Sequence, residues 1–152
     1  MRLQIENQER KLDKLLLDIS TIQDDEIKAH LSKYFCVRIS GYLENVLKIL
    51  VANYSEGSSQ KPVTNYLQND LKNVTNLSEE KMQKVLTKFS EDWCNNFNSK
   101  VSEQQLQSLN SIISNRNSIA HGQQDNISYK VIGQYYTDLK EIVKALKDTI
   151  KK

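Results

Sequence analysis

The chain has 152 residues, 38% hydrophobic and 26% charged, a composition that suits one soluble domain with its own core. Lys and Arg number 21 against 19 Asp and Glu, so a net charge of +2 excludes a strongly basic arm or an acidic tail while leaving room for a local patch. One Pro and four Gly are too few turn formers for a strand-and-turn architecture.

The longest aliphatic run, Ile49-Leu50-Val51-Ala52, falls far short of the ~20 residues of a membrane span. Met1-Arg2-Leu3-Gln4-Ile5-Glu6 turns polar at once and offers no signal-peptide core. Cys36 and Cys94 stand at no metal-ligand spacing, and Cys36 beside Tyr34-Phe35 and Val37 reads as a small buried hydrophobe. These features lead to the expectation of a reducing, cytoplasmic setting, no membrane, no metal and no cofactor.

Apolar positions recur at helical spacing along the chain. Leu3, Leu12, Leu15, Leu16 and Ile19 mark a first amphipathic helix over 3–19. Asp24-Asp25-Glu26 supplies the acids that a helix N-terminus favours, opening a long second helix over about 25–54 whose apolar positions include Ile27, Leu31, Tyr34, Phe35, Ile39, Leu43, Leu47 and Val51. Ser55-Glu56-Gly57 ends it. Lys61-Pro62 begins a short helix over 62–72 with Val63, Tyr66, Leu67 and Leu71 inward, and Ser78-Glu79-Glu80 opens another that carries Met82, Val85, Leu86 and Phe89. The Asn-rich stretch from Trp93 to Lys100 reads as irregular. Ser102 and Gln105 form a capping-box pattern ahead of Leu106, Leu109, Ile112, Ile113, Ile119 and Ala120. After the loop Gln123-Gln124-Asp125-Asn126, a last helix over about 128–150 carries Ile132, Tyr135, Tyr136, Leu139, Ile142, Val143, Leu146 and Ile150. The expected fold is a single all-α domain over residues 1–152, a bundle of about five to six helices.

The chemistry-bearing residues gather at the end of the fifth helix, in Arg116-Asn117-Ser118-Ile119-Ala120-His121-Gly122. On an ideal helix Arg116 and His121 stand about 140° apart, but Gly122 stops the helix and lets His121 turn back toward the last turn. Imidazole can take or give a proton near neutral pH. Guanidinium binds phosphate bidentately, and Asn supplies both a donor and an acceptor. This set suits acid–base work on a phosphodiester. A His and an Arg at a helix C-terminus also complement the helix dipole, which is the bland alternative. The other histidine, His30, reads as a surface or boundary residue. Lys140, Lys144, Lys147 and Lys151 share one face of the last helix and form either a track for an RNA backbone or a solvated face. Tyr135 and Tyr136 could stack on bases, though at least one falls on the core stripe.

These residues resemble the R-x(4–6)-H signature of the HEPN superfamily in its R-N-x-x-x-H form, and the sequence Arg116 to Gly122 is similar to the RiboL-PSP type of HEPN domain. A weaker likeness lies in Cys36-Val37-Arg38-Ile39-Ser40-Gly41-Tyr42-Leu43-Glu44, similar to that type's small-residue-then-Glu pattern. The resemblance implies a helical bundle that dimerises with both motifs at a shared cleft. It also implies a metal-independent endoribonuclease acting as a toxin or effector in bacterial defence, with RNA as substrate and an antitoxin or effector complex as a partner. By the same resemblance His121 activates the ribose 2′-OH, Arg116 neutralises the scissile phosphate and Asn117 orients the pair. Glu44 supports Arg116, and cleavage leaves a 2′,3′-cyclic phosphate. Toxins of this superfamily paired with a nucleotidyltransferase carry a Tyr two residues after the His, whereas this chain has Gln123. Some HEPN domains only bind RNA or proteins, which is the competing expectation.

Overall fold

The computed structural model describes residues 2–123 and 127–151, which include seven helices and no strand. They are α1 (Arg2–Ser20), α2 (Asp25–Ser55), α3 (Lys61–Leu71), α4 (Glu79–Phe89), α5 (Glu91–Lys100), α6 (Glu103–Ala120) and α7 (Tyr129–Thr149). The starts are set by side chains that satisfy the first orphan amides. Asp24 accepts from the Ile27 amide at 3.0 Å, and Ser128 accepts from Val131 at 3.1 Å. The capping box of α6 is closed on both sides, Gln105 N–H to Ser102 Oγ at 3.1 Å and Ser102 N–H to Gln105 Oε1 at 2.9 Å.

Two expectations need correction. The Asn-rich segment read as irregular is helix α5. Ser90, in extended backbone, ends α4 and caps α5 by accepting from Asp92, while Glu91 and Asp92 fill the first turn and Lys100 the last. Local capping there outweighs the weak helix propensity of Asn. In α3 only Leu71 of the expected inward set is buried; Leu67 is half-buried, and Val63 and Tyr66 are exposed. α3 packs on α2 alone, so one edge of its apolar stripe finds a partner and the rest does not.

The 31-residue α2 runs through the middle of the bundle. α7 lies beside it and parallel to it: the Lys28 ammonium sits 4.6 Å over the Tyr129 ring, and Phe35 meets Tyr136 edge-on at 5.2 Å. α6 returns antiparallel to both, with the Cys36 thiol donating to the Ile112 carbonyl at 3.6 Å and the Ser108 hydroxyl donating to the Asp138 carboxylate. α1 covers the other flank of α2, antiparallel, with the Tyr42 hydroxyl donating to Glu9 at 2.8 Å and Asn45 to Gln8 at 3.2 Å. α4 and α5 close the far end against α6 and α7. The core is continuous through Ile5, Leu12, Phe35, Ile39, Leu43, Leu47, Leu109, Ile112, Ile132, Leu139 and Leu146. Cys36 is buried there, as a small hydrophobe would be.

A polar seam that the sequence does not announce binds α1 to this core. Tyr136 donates to Asp13 at 2.6 Å, and Lys140 pairs with the same carboxylate at 3.2 Å. Burial, reinforced by the hydrogen bonds to Glu9 and Asp13, pushes the Tyr42 and Tyr136 phenols well above the usual tyrosine range, so both remain donors at any physiological pH. The topology leaves the α1 C-terminus, the α2 N-terminus, the α6 C-terminus and the α7 N-terminus at one end of the bundle. No helix among the described residues is long and apolar enough to cross a membrane.

Candidate functional site

The last two turns of α6 carry the site. Leu109, Ile112 and Ile113 are its inward residues. Arg116 follows Ile112 by four and Asn117 follows Ile113 by four, so both continue the stripe that faces the core. Two polar residues therefore occupy positions where the pattern calls for apolar ones, and both are half-buried. The Asn117 carboxamide oxygen accepts from Arg116 Nη1 at 3.4 Å, so the amide steers the guanidinium.

His121 is the C-cap of α6 and is exposed. Its amide still bonds the Asn117 carbonyl at 3.0 Å, but its φ of −90° and ψ of 6° have left the helix. Gly122 follows at φ 68°, and its amide bonds Ile119 O at 3.1 Å while that of Gln123 bonds Ser118 O at 2.9 Å. This is a Schellman closure, and it is what the Gly in the sequence signals. A Cβ at Gly122 would meet nothing within 4 Å, so its φ alone resists substitution. Gly122→Ala is therefore expected to destabilise the fold by about 1 kcal/mol, and Gly122→Asn by less; urea unfolding of the two variants measures the difference. Residues 124–126 of the expected loop lie outside the described residues.

Glu44 does not support Arg116 within the chain. Its Oε1 accepts from the Asn76 amide at 3.2 Å, holding a residue at φ 54° in the turn before α4. The antiparallel register explains the miss. With Cys36 opposite Ile112, Glu44 lies about 12 Å toward one end of α2 and Arg116 about 6 Å toward the other, roughly 18 Å apart along the bundle. Glu44→Ala should cost about 1 kcal/mol of stability through the orphaned Asn76 amide; urea unfolding of the variant measures it.

The lysine face divides. Lys140 is committed to the fold through Asp13 and lies 4.7 Å over the Tyr136 ring. Lys144 is exposed. Lys147 borders a cavity with Arg2, Asn53 and Lys151 at the opposite end from His121, about 27 Å along α7 from Tyr129. Tyr136 is core and Tyr135 is half-buried. His30 is exposed, 3.9 Å from the Glu26 carboxylate. Sequence reading missed the outer face of α2, where Arg38 Nη1 donates to the Tyr34 hydroxyl at 2.8 Å and Ile27 and Tyr34 lie exposed. The signal was available: Ile27, Tyr34 and Gly41 repeat every seven residues, offset from the buried set.

An all-helical bundle whose core helix ends in Arg-Asn-x-x-x-His has the form of a HEPN domain. The family model for RiboL-PSP-HEPN matches residues 3–152, and the chain belongs to that family. No curated protein and no solved structure matches it. HEPN domains are often ribonucleases, and they often bind RNA and dimerise.

Proposed function

We propose that this protein is a metal-independent endoribonuclease. The observation that carries the reading is the placement of Arg116 and Asn117 on the inward stripe of α6, one turn before an exposed His121 at a sharp helix stop. A cation there complements the helix dipole, and an Arg116 steered by Asn117 beside an exposed imidazole is in addition suited to a phosphate.

In the proposed reaction His121 accepts the proton of a ribose 2′-OH. The freed 2′-oxygen attacks the adjacent phosphorus, the bond from phosphorus to the 5′-oxygen breaks, and that oxygen takes up a proton. One product ends in a 2′,3′-cyclic phosphate and the other in a 5′-OH. Arg116, steered by Asn117, neutralises charge that develops on the phosphoryl oxygens. A second copy supplies a second motif to a shared cleft, and His121 of one copy and of the other divide the base and acid roles. Lys144 and Lys147 contact the RNA backbone beyond the cleft. The setting is a cytoplasmic toxin or effector in bacterial defence, acting on RNA and held in check by an antitoxin or effector complex.

The test uses one labelled RNA and the same strand carrying a single 2′-deoxy or 2′-O-methyl nucleotide at the mapped cleavage position. Cleavage at that position is expected to vanish in both modified strands; cutting of either modified strand there contradicts 2′-OH attack. Binding of all strands with cleavage of none favours a non-catalytic RNA-binding module instead.

A further inference from the structure

We infer that the cavity at the end of the bundle opposite His121 binds a phosphate monoester carried on a flat apolar body. That is the chemistry of a free mononucleotide or of the 5′-phosphorylated end of an RNA. The site stands apart from the proposed cleavage and does not depend on it.

α1 begins at this cavity, and α2 and α7 end there. Together they surround about 400 Å³, within the range of small-ligand pockets. Ile5, Leu50 and Ile150 supply the apolar part of the lining, and all three are anchored in the core. Arg2, Lys147 and Lys151 supply the charged part, with Asp148 as the single acid.

The fold by itself does not account for these cations. Among the described residues, no carboxylate pairs with Arg2, Lys147 or Lys151. Lys140, on the same helix, shows the contrast, since Asp13 holds it at 3.2 Å. Lys147 and Lys151 complement the C-terminal dipole of α7, which is reason enough for a lysine there. Arg2 has no such reason. It lies in the first turn of α1, where a cation opposes the helix dipole and no acidic residue offsets it. Three like charges thus meet on one concavity with an apolar wall, and Lys147 among them is half-buried. Such a lining focuses a positive field and draws in an anion.

Charge and shape select the class of anion. The four ionised side chains give the lining a formal charge of +2. A phosphate monoester carries about −1.5 to −2 at pH 7 and offers three acceptor oxygens. A carboxylate or a mid-strand phosphodiester carries a single charge and leaves the lining in excess. The apolar wall gives a flat ring a dry face to lie on, so inorganic phosphate uses only half of the site. Asn53 carries a donor and an acceptor for the edge of that ring, and Asp148 is an acceptor for a sugar hydroxyl.

The test is calorimetric titration of the full chain with adenosine 5′-monophosphate (AMP) at about 0.15 M salt, where long-range attraction between exposed charges is largely screened. One AMP is expected to bind per chain, with adenosine and inorganic phosphate each about tenfold weaker or more. Arg2→Gln and Lys151→Gln should each weaken AMP about tenfold, at unchanged helix content because both side chains are exposed. Lys14→Gln, exposed near the other end of α1, and Arg116→Ala should bind AMP as wild type does. No saturable binding below ~1 mM AMP overturns the proposal, and so does adenosine or inorganic phosphate that binds as tightly as AMP. Binding lost in Arg116→Ala but kept in Arg2→Gln also overturns it, since the phosphate then sits at the α6 motif. A short 2′-O-methyl RNA, which lacks the attacking hydroxyl, separates the two sources. A 5′-phosphate strand that outbinds its 5′-OH twin in wild type, but not in Arg2→Gln, identifies an RNA end. Twins that bind alike beside tight AMP identify the free mononucleotide. AMP binding by a protein that cuts no RNA keeps this site and removes the nuclease; cleavage without AMP binding does the reverse.

Discussion

Replacing His121 with alanine is expected to reduce RNA cleavage by roughly 10²- to 10⁴-fold, the range that a positioned general base or acid contributes. The loss should appear in the rate at saturating RNA with little change in affinity, because an imidazole that moves a proton acts chiefly in the transition state. Stability should move by less than about 0.5 kcal/mol, since His121 is an exposed C-cap and its helix stop is made by backbone bonds that alanine keeps. Single-turnover cleavage and thermal unfolding of the same samples measure the two effects. A variant that cuts at the wild-type rate contradicts the assignment. One that loses stability and activity in parallel would show that His121 serves the helix end and nothing more.

Arg116→Ala is the second large effect, expected at roughly 10²- to 10³-fold, comparable to removal of one preorganised group that stabilises charge on the reacting centre. Arg116→Lys should recover only part of it. An ammonium keeps the charge but not the planar fork that meets two phosphoryl oxygens at once. It also lacks the geometry by which Asn117 steers the group, at 3.4 Å from Nη1. The same substitutions should lower RNA affinity modestly, because the remaining cations still meet the backbone. Full activity in Arg116→Lys would mean that charge alone matters and that the bidentate role assigned to Arg116 is wrong. Gel-resolved cleavage rates for wild type, Ala and Lys decide it.

The helices and their ends were legible because each is written locally. Ser78 and Ser102 cap as their sequence positions suggest, and Gly122 stops α6 with the positive φ its identity permits. Helix α5 escaped because Asn95, Asn96 and Asn98 are poor helix formers, while the features that make it, the Ser90 cap and the acidic first turn, lie just before the Asn-rich run. Tertiary facts were less visible. Glu44 looked available to Arg116 only until the antiparallel register of α2 and α6 set them at different levels of the bundle. Lys140 looked like part of an open basic face, but Asp13, far away in sequence, claims it. The exposed side of α2 was hidden by its own hydrophobicity: Ile27 and Tyr34 read as core in a helix whose opposite side really is core. Arg116, Asn117 and His121 stood out from the sequence for a different reason, since a proton carrier, a guanidinium and an amide fall together within six residues.

The central claim is that His121 drives attack by the ribose 2′-OH without a metal. The most direct measurement is the chemistry of the cleaved ends when wild type and His121→Ala act on a mixed RNA pool in excess EDTA. Undiminished cutting by wild type that leaves 2′,3′-cyclic phosphate and 5′-OH ends, absent in the variant, is the predicted result. Loss of wild-type cutting in EDTA, or 3′-OH and 5′-phosphate ends, would contradict it.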